Sequence, residues 1–313
     1  MQLRFRTARL GHRPLRQINL GCGPLRVGIE FGVILTWLRR TRVLVGQVFV
    51  VVTIIVMLVW LLFPLWWSAM TSIKPGGDVY GNALVPFLQF EPTLNHWQYV
   101  LDLDRFRESF SNSVIIGFGG ATIALALGIP AAYALARSGP GISLELGIAW
   151  WLIVVRALPP VVFGPPIYLL ARDAGLLDTI AAQTVVSATF GLVFVVVIMD
   201  AMFRTVPIDL EHAAQVDGAS GWQVLLNIVL PLVTPGVVSA WLIAFAFAWN
   251  ELFFGLILAD QDALPLTVVM LSRGGNHHAT SAIALVMLVP PLIIALASQR
   301  FLVHGLSLGA VRG

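Results

Sequence analysis

Two kinds of residue in this chain stand where chemistry is to be expected: charges inside apolar runs, and a polar decapeptide between two such runs. Arg156 and Glu251 each sit well inside an apolar segment, where a charge near a bilayer centre costs at least about 2.5–3.5 kcal/mol. On outward-running helices their depths differ by roughly 7 Å, which an arginine side chain can cover. The spacing therefore predicts an Arg156–Glu251 ion pair, either a structural clamp or an element of a path for polar solutes. Trp249 and Asn250 adjoin Glu251. An aromatic face beside amide and carboxylate groups suits sugars, because C–H faces stack while hydroxyls need donors and acceptors. Helix packing is the alternative reading of the same three residues. The decapeptide is "EHAAQVDGAS", residues 211–220, and its composition is that of a surface element made to touch something.

The elements that must position these residues are apolar helices. Of 313 residues, 58% are hydrophobic and 11% charged, with a mean hydropathy of +0.87; a soluble domain carries about 25% charged residues. Six runs are long enough to cross a bilayer, at 43–67, 110–136, 146–170, 180–203, 236–258 and 280–303. Continuous apolar runs exclude a β-barrel, whose strands are about 10 residues of alternating polarity. The first run is too long for a secretory leader. Arg4, Arg6, Arg9, Arg13, Arg16, Arg26, Arg39, Arg40 and Arg42 precede it, accompanied by one acid, Glu30. The positive-inside rule places this Arg-rich tail, residues 1–42, in the cytoplasm. Six spans return the C-terminal tail, 304–313, to the same side and put the acidic 70–108 loop outside. The fold class expected is an all-α membrane protein of six transmembrane helices with both termini cytoplasmic.

The only sizeable cytoplasmic loop, 204–235, holds the decapeptide. Pro207, Asp209 and Glu211 suit a helix first turn, and Gly218 ends that helix. Ser220 and Gln223 have capping-box spacing for a second one, on which Trp222, Leu225, Leu226 and Val229 predict a single apolar stripe. In the third span, "LPPVVFGPP" (158–166) predicts a kinked or unwound segment. His277–His278 reads as a polar pair on an outer loop, Cys22 has no disulfide partner, and no Cys/His cluster has metal spacing. No nucleic-acid signal is present, the positive charge being distributed topologically.

"LEHAAQVDGAS" followed by "IVLPLVTP" resembles the EAA loop of ABC importer permeases, which docks into a cleft on the ATPase subunit. "TSIKP", "NSVIIGFGGATIALALGIPAAYALAR", "GLLDT", "AFAWNELFFGLIL" and "HGLSLGAVRG" are similar to the carbohydrate-uptake branch, the last to its maltose-type second permease. The resemblance covers about residues 43–313. It implies the type I importer fold and makes Glu211, His212, Ala213, Ala214, Asp217 and Gly218 the ATPase-coupling residues. One position departs from the pattern: His212 stands where the motif has its own Glu. Either Glu211 turns in to supply the charge, or His212 makes a different contact, in which case coupling is expected to respond to cytoplasmic pH because histidine titrates near 6.5.

The resemblance further implies a second, non-identical permease, two ATPase subunits and an extracytoplasmic solute-binding protein as partners, in a bacterial inner membrane. The chain has no phosphate-binding G-x-x-x-x-G-K-[ST] loop, so ATP is expected on the partner subunit and no cofactor or metal on this one. The solute implied is a mono- or oligosaccharide or polyol, with a glycerol phosphate as the alternative. An ion-coupled secondary transporter would use Arg156 and Glu251 but leaves the docking loop without a purpose. A membrane-embedded enzyme lacks a nucleophile–base pair at one depth.

Overall fold

The computed structural model describes residues 27–76, 81, 85–138, 147, 154–155 and 157–310, and for 27–45, 104 and 300–310 the backbone alone. It divides into two units, 1–62 and 63–313. Among the described residues the fold is all-α, its β pairing confined to one bridge between Pro86 and Phe90.

The first helix, α1 (Val27–Ile73), crosses the divide and begins well before the apolar run at 43. In the second unit follow α2 (Asn95–Leu101), α3 (Asp104–Arg137), α4 (Pro160–Asp173), α5 (Ile180–Phe203), α6 (Ile208–Val216), α7 (Gly221–Leu232), α8 (Thr234–Trp249), α9 (Phe253–Leu258), α10 (Leu266–Ser272) and α11 (His277–Ala310). Among the described residues four helices are long and apolar enough to cross a bilayer, Gly46–Ile73, Arg105–Arg137, Ile180–Phe203 and His277–Gln299, and the bent pair α7–α8 makes a fifth if it counts as one span.

α3 and α5 form the spine of the second unit. Their backbones approach so closely that a Cβ on Gly128 would stand 2.5 Å from Val195 Cγ1. Between apolar helices in lipid the gain comes from this kind of close van der Waals packing, since tails are as apolar as leucine. α8 lies against both, and the core formed there includes Ala121, Ala124, Val195, Met199, Ala240 and Phe245. α3 is 34 residues long, about 50 Å at 1.5 Å per residue, so its two ends mark opposite ends of the second unit.

Two apolar runs differ from their hydropathy reading. Over 236–258, where one span is predicted, α8 stops at Trp249 and α9 restarts at Phe253. Polar side chains service the helix ends that the break exposes: Asn250 Nδ2 donates to Ala246 O at 2.8 Å, and Glu251 Oε1 accepts from the Phe254 N–H at 2.9 Å. In the proline-rich stretch the chain is extended at Pro159, and α4 then runs helically through Pro165 and Pro166. The break thus falls at the first two of the four prolines, Pro159 and Pro160, and not at the second pair, because Pro160 suits a first turn that has no intrahelical N–H bond to lose.

α7 meets α8 at 85° across Val233, turning the connection between α5 and α8 sideways. α6 and α7 therefore lie across one end of the α3–α5–α8 bundle.

Candidate functional site

The decapeptide folds as its residue types require. α6 ends in a Schellman turn: the Gly218 N–H donates to Gln215 O and the Ala219 N–H to Ala214 O, both at 3.0 Å. Gly218 has φ +90°, a conformation that glycine adopts without strain. Ser220 then caps α7 reciprocally, accepting from the Gln223 N–H while Gln223 Oε1 accepts from the Ser220 N–H at 2.7 Å. A helix–turn–helix pair with capped ends results from local sequence chemistry.

The expected apolar stripe on α7 is split. Val224, Leu225 and Val229 are buried, whereas Trp222 is 63% and Leu226 52% exposed. The cause is a π-helical turn over Leu225–Val229, which widens the repeat and carries the inward face from Val224 to Val229, five residues on, rather than along the 3.6-residue period.

Glu211 is the buried member of the motif, 3% exposed, and its partners belong to α3. Arg137 Nε donates to Oε1 at 2.8 Å and Tyr133 Oη to Oε2 at 2.6 Å. The same guanidinium donates to Val206 O at 3.3 Å. Burial by itself raises a carboxyl's pKa; the hydrogen bonds from Arg137 and Tyr133 and the arginine's charge outweigh it and hold Glu211 below its ordinary value. The carboxylate is thus an anion inside the chain's own fold. His212, Ala213, Asp217 and Gly218 are exposed and Ala214 is half-buried. With Val216 and Trp222 (88% and 63% exposed), they make an outward surface of one imidazole, one carboxylate and two large apolar groups. Tyr133 and Arg137, one turn apart on the end of α3, carry a signal that sequence reading passed over: i, i+4 side chains share a helix face.

The far end of α3 is fastened by different chemistry. Asp178, at φ +55°, accepts backbone N–H bonds from Asp260, Gln261, Asp262 and Ala263 at 2.9–3.1 Å. Partial burial raises its carboxyl, but the four amides prevail and bring it down to about 2. Asn112 donates to Asp262 O and Leu264 O, Gln183 to Ala263 O, and the Leu266 N–H to Ser113 Oγ. The loop between α9 and α10 is held at every residue from 260 to 264.

Of the intramembrane candidates, Arg156 and with it the predicted pairing to Glu251 lie outside the described residues. Trp249 is 3% exposed, stacked on Phe245 with its Nε1 donating to Met287 O at 2.9 Å, which fastens α8 to α11. Asn250 is exposed and Glu251 half-buried; besides Phe254 N–H, Glu251 meets Thr267, whose Oγ1 donates to the Glu251 carbonyl at 2.8 Å. The cavities touching Glu251 measure about 10 and 40 Å³, space for a water molecule and not for a sugar.

The sequence profile of a family described as "Binding-protein-dependent transport system inner membrane component" matches residues 124–307. The trehalose transport system permease protein SugB of Mycobacterium tuberculosis is 33% identical over 80% of this chain and 93% of its own length. The diacetylchitobiose uptake system permease protein DasC of Streptomyces coelicolor is 31% identical over 87% and 99%. Among solved structures, a bacterial ABC transporter involved in the import of the acidic polysaccharide alginate superposes with a TM-score of 0.65 at 21% identity, covering 90% of this chain and 99% of that one. The fold is that of the type I ABC importer permeases.

Proposed function

The chain belongs to the binding-protein-dependent transport inner-membrane component family, and from that premise we infer that it is the membrane permease subunit of a carbohydrate ABC importer. The observation that carries the mechanism is the seating of α6: one face is pinned by Glu211 to Arg137 and Tyr133 of α3, and the opposite face is open. The open face, with His212, Ala213, Asp217, Gly218, Val216 and Trp222, is the surface offered to an ATPase subunit. When the ATPase pulls this surface, the pinned carboxylate carries the displacement into α3, and the close α3–α5 packing carries it along the bundle. Glu211 acts within the chain, so the residue that meets the ATPase in the motif's acidic position is His212.

The finer features of the reading are these. Six spans cross a bacterial inner membrane with both termini in the cytoplasm. The translocation path is shared with a second, non-identical permease, and the sub-sugar cavities at Glu251 support a path completed by that partner. Two ATPase subunits bind and hydrolyse ATP, and an extracytoplasmic protein delivers the solute.

Uptake of radiolabelled disaccharide is the test, in proteoliposomes holding this chain with its partner subunits and solute-binding protein. ATP-dependent accumulation that a protonophore leaves unchanged is expected. Accumulation driven by an ion gradient without ATP sinks the importer reading, and accumulation of glycerol phosphate in place of sugar moves the solute class. A coupled-ATPase pH profile that His212→Glu does not alter removes His212 from the contact.

A further inference from the structure

At the end of α3 remote from Arg137, a half-open cleft of about 430 Å³ lies between the start of α3 and α10. Leu103, Leu264 and Val268 give it apolar walls, and Arg105, Ser272 and Arg273 supply its polar groups. Two guanidiniums thus face one cleft, and among the described residues that line it there is no carboxylate.

The partners each arginine has are neutral. Arg105 donates to Gln261 Oε1. Arg273 Nη1 donates to Tyr99 Oη at 3.0 Å, its guanidinium 6.0 Å from the tyrosine ring centroid. Arg273 Nε is buried and, among the described residues, has no hydrogen-bond partner. Acids stand on the neighbouring elements, Asp102 after α2, Glu108 on α3, and Asp260 and Asp262 on the loop, yet among the described residues none forms an ion pair with either arginine. An unsatisfied donor on a buried charged group is costly, and a guanidinium's planar fork matches a carboxylate in bidentate fashion.

We propose that the Arg105–Arg273 cleft is a carboxylate-binding site whose occupant is an acidic side chain on a loop of the extracytoplasmic solute-binding protein. This rests on the importer reading above, which sets this end of the fold outside the membrane. A protein loop is favoured over a transported solute because the cleft is half-open and lined from the start of α3, the α9–α10 connection and α10, and not from the α3–α5–α8 core. The apolar walls take the methylene stem of an Asp or Glu, and the guanidiniums its head. One wall continues directly from the 260–263 loop that Asp178 holds fixed, so the site is ordered before the partner arrives, which lowers the entropic cost of docking. Charges at such a rim govern encounter rate and salt dependence as much as affinity.

The test uses the assembled transporter in nanodiscs and its solute-binding protein, with binding measured at low and high salt. Arg105→Gln and Arg273→Gln are each expected to weaken binding about tenfold, equivalent to ~1.4 kcal/mol, and to flatten the salt dependence. Arg107→Gln, on the same helix but outside the cleft, changes neither. Arg273→Lys guards against misfolding: it keeps the charge and the salt dependence while losing the fork. Equal affinity for wild type and both Gln variants overturns the cleft alone. Failure of wild type to bind any solute-binding protein overturns the importer reading along with it. Protection of Arg105 and Arg273 from phenylglyoxal by millimolar glutarate, in nanodiscs without the binding protein, is expected of any carboxylate site; combined with unchanged binding-protein affinity in both Gln variants, it overturns the protein-loop assignment and gives the cleft to a free carboxylate.

Discussion

Asp178 and Glu211 stand at opposite ends of the α3–α5 pair, and each has its carboxylate fully engaged, but the partners differ in kind. Asp178 is held by four main-chain amides of one loop. Glu211 is held by the side chains of Arg137 and Tyr133 on a long helix. The first arrangement orders a loop in place, since backbone donors fix the path of a chain whatever its side chains are. The second joins two helices by groups that keep their grip while the helices move together. On the proposed reading the contrast follows from position within the fold: the Asp178 end needs a fixed surface for a visiting protein, and the Glu211 end has to transmit a pull.

The comparison breaks most visibly at the inner clamp. Arg137→Met strands a buried carboxylate and is expected to cost about 3–5 kcal/mol, read as a large fall in thermal stability and loss of ATP-driven uptake. Adding Glu211→Gln to that variant restores much of the stability while leaving uptake uncoupled. A double variant as unstable as the single one shows that the ion pair is not the pin. At the outer clamp Asp178→Asn keeps the shape and removes the charge, with an expected cost of ~1.5–3 kcal/mol confined to residues 260–263 and visible as faster amide exchange there. The pH response follows from the same bonds. A carboxyl whose folded pKa is lowered contributes its full stability above its unfolded value, near 3.9 for Asp. With Asp178 at about 2, protection of the 260–263 amides is expected to hold at neutral pH, decline as pH falls below about 4, and vanish through pH 2. The smallest effect is expected in the turn beside Glu211. Gly218→Ala meets nothing within 4 Å, so only its φ of +90° matters, about 1–2 kcal/mol. Gly218→Asn, which tolerates left-handed backbone, recovers part of it; coupled ATPase activity and melting temperature measure both.

Much of the inner element was legible beforehand because its chemistry is local. Pro207, Gly218 and the Ser220–Gln223 pair each announce a helix end within a few residues, and the structure has those ends. The Tyr133–Arg137 pair was also readable as an i, i+4 face, although nothing in one sequence says that its partner is residue 211. The outer clamp was not readable, since its donors are main-chain amides and any four residues carry those. The break at 250–252 was hidden for a related reason: hydropathy sums over a run and does not register that Asn250 and Glu251 can satisfy the ends of two shorter helices.

By itself, then, the sequence determined a helical, apolar chain with a polar hinge of known family shape, because hydropathy, capping and glycine conformation act over neighbouring residues. Only the tertiary structure decided which of two adjacent side chains, Glu211 or His212, faces inward. Adjacent residues on a helix point about 100° apart, and the choice between them was made by a guanidinium that lies far away in the chain and close in space.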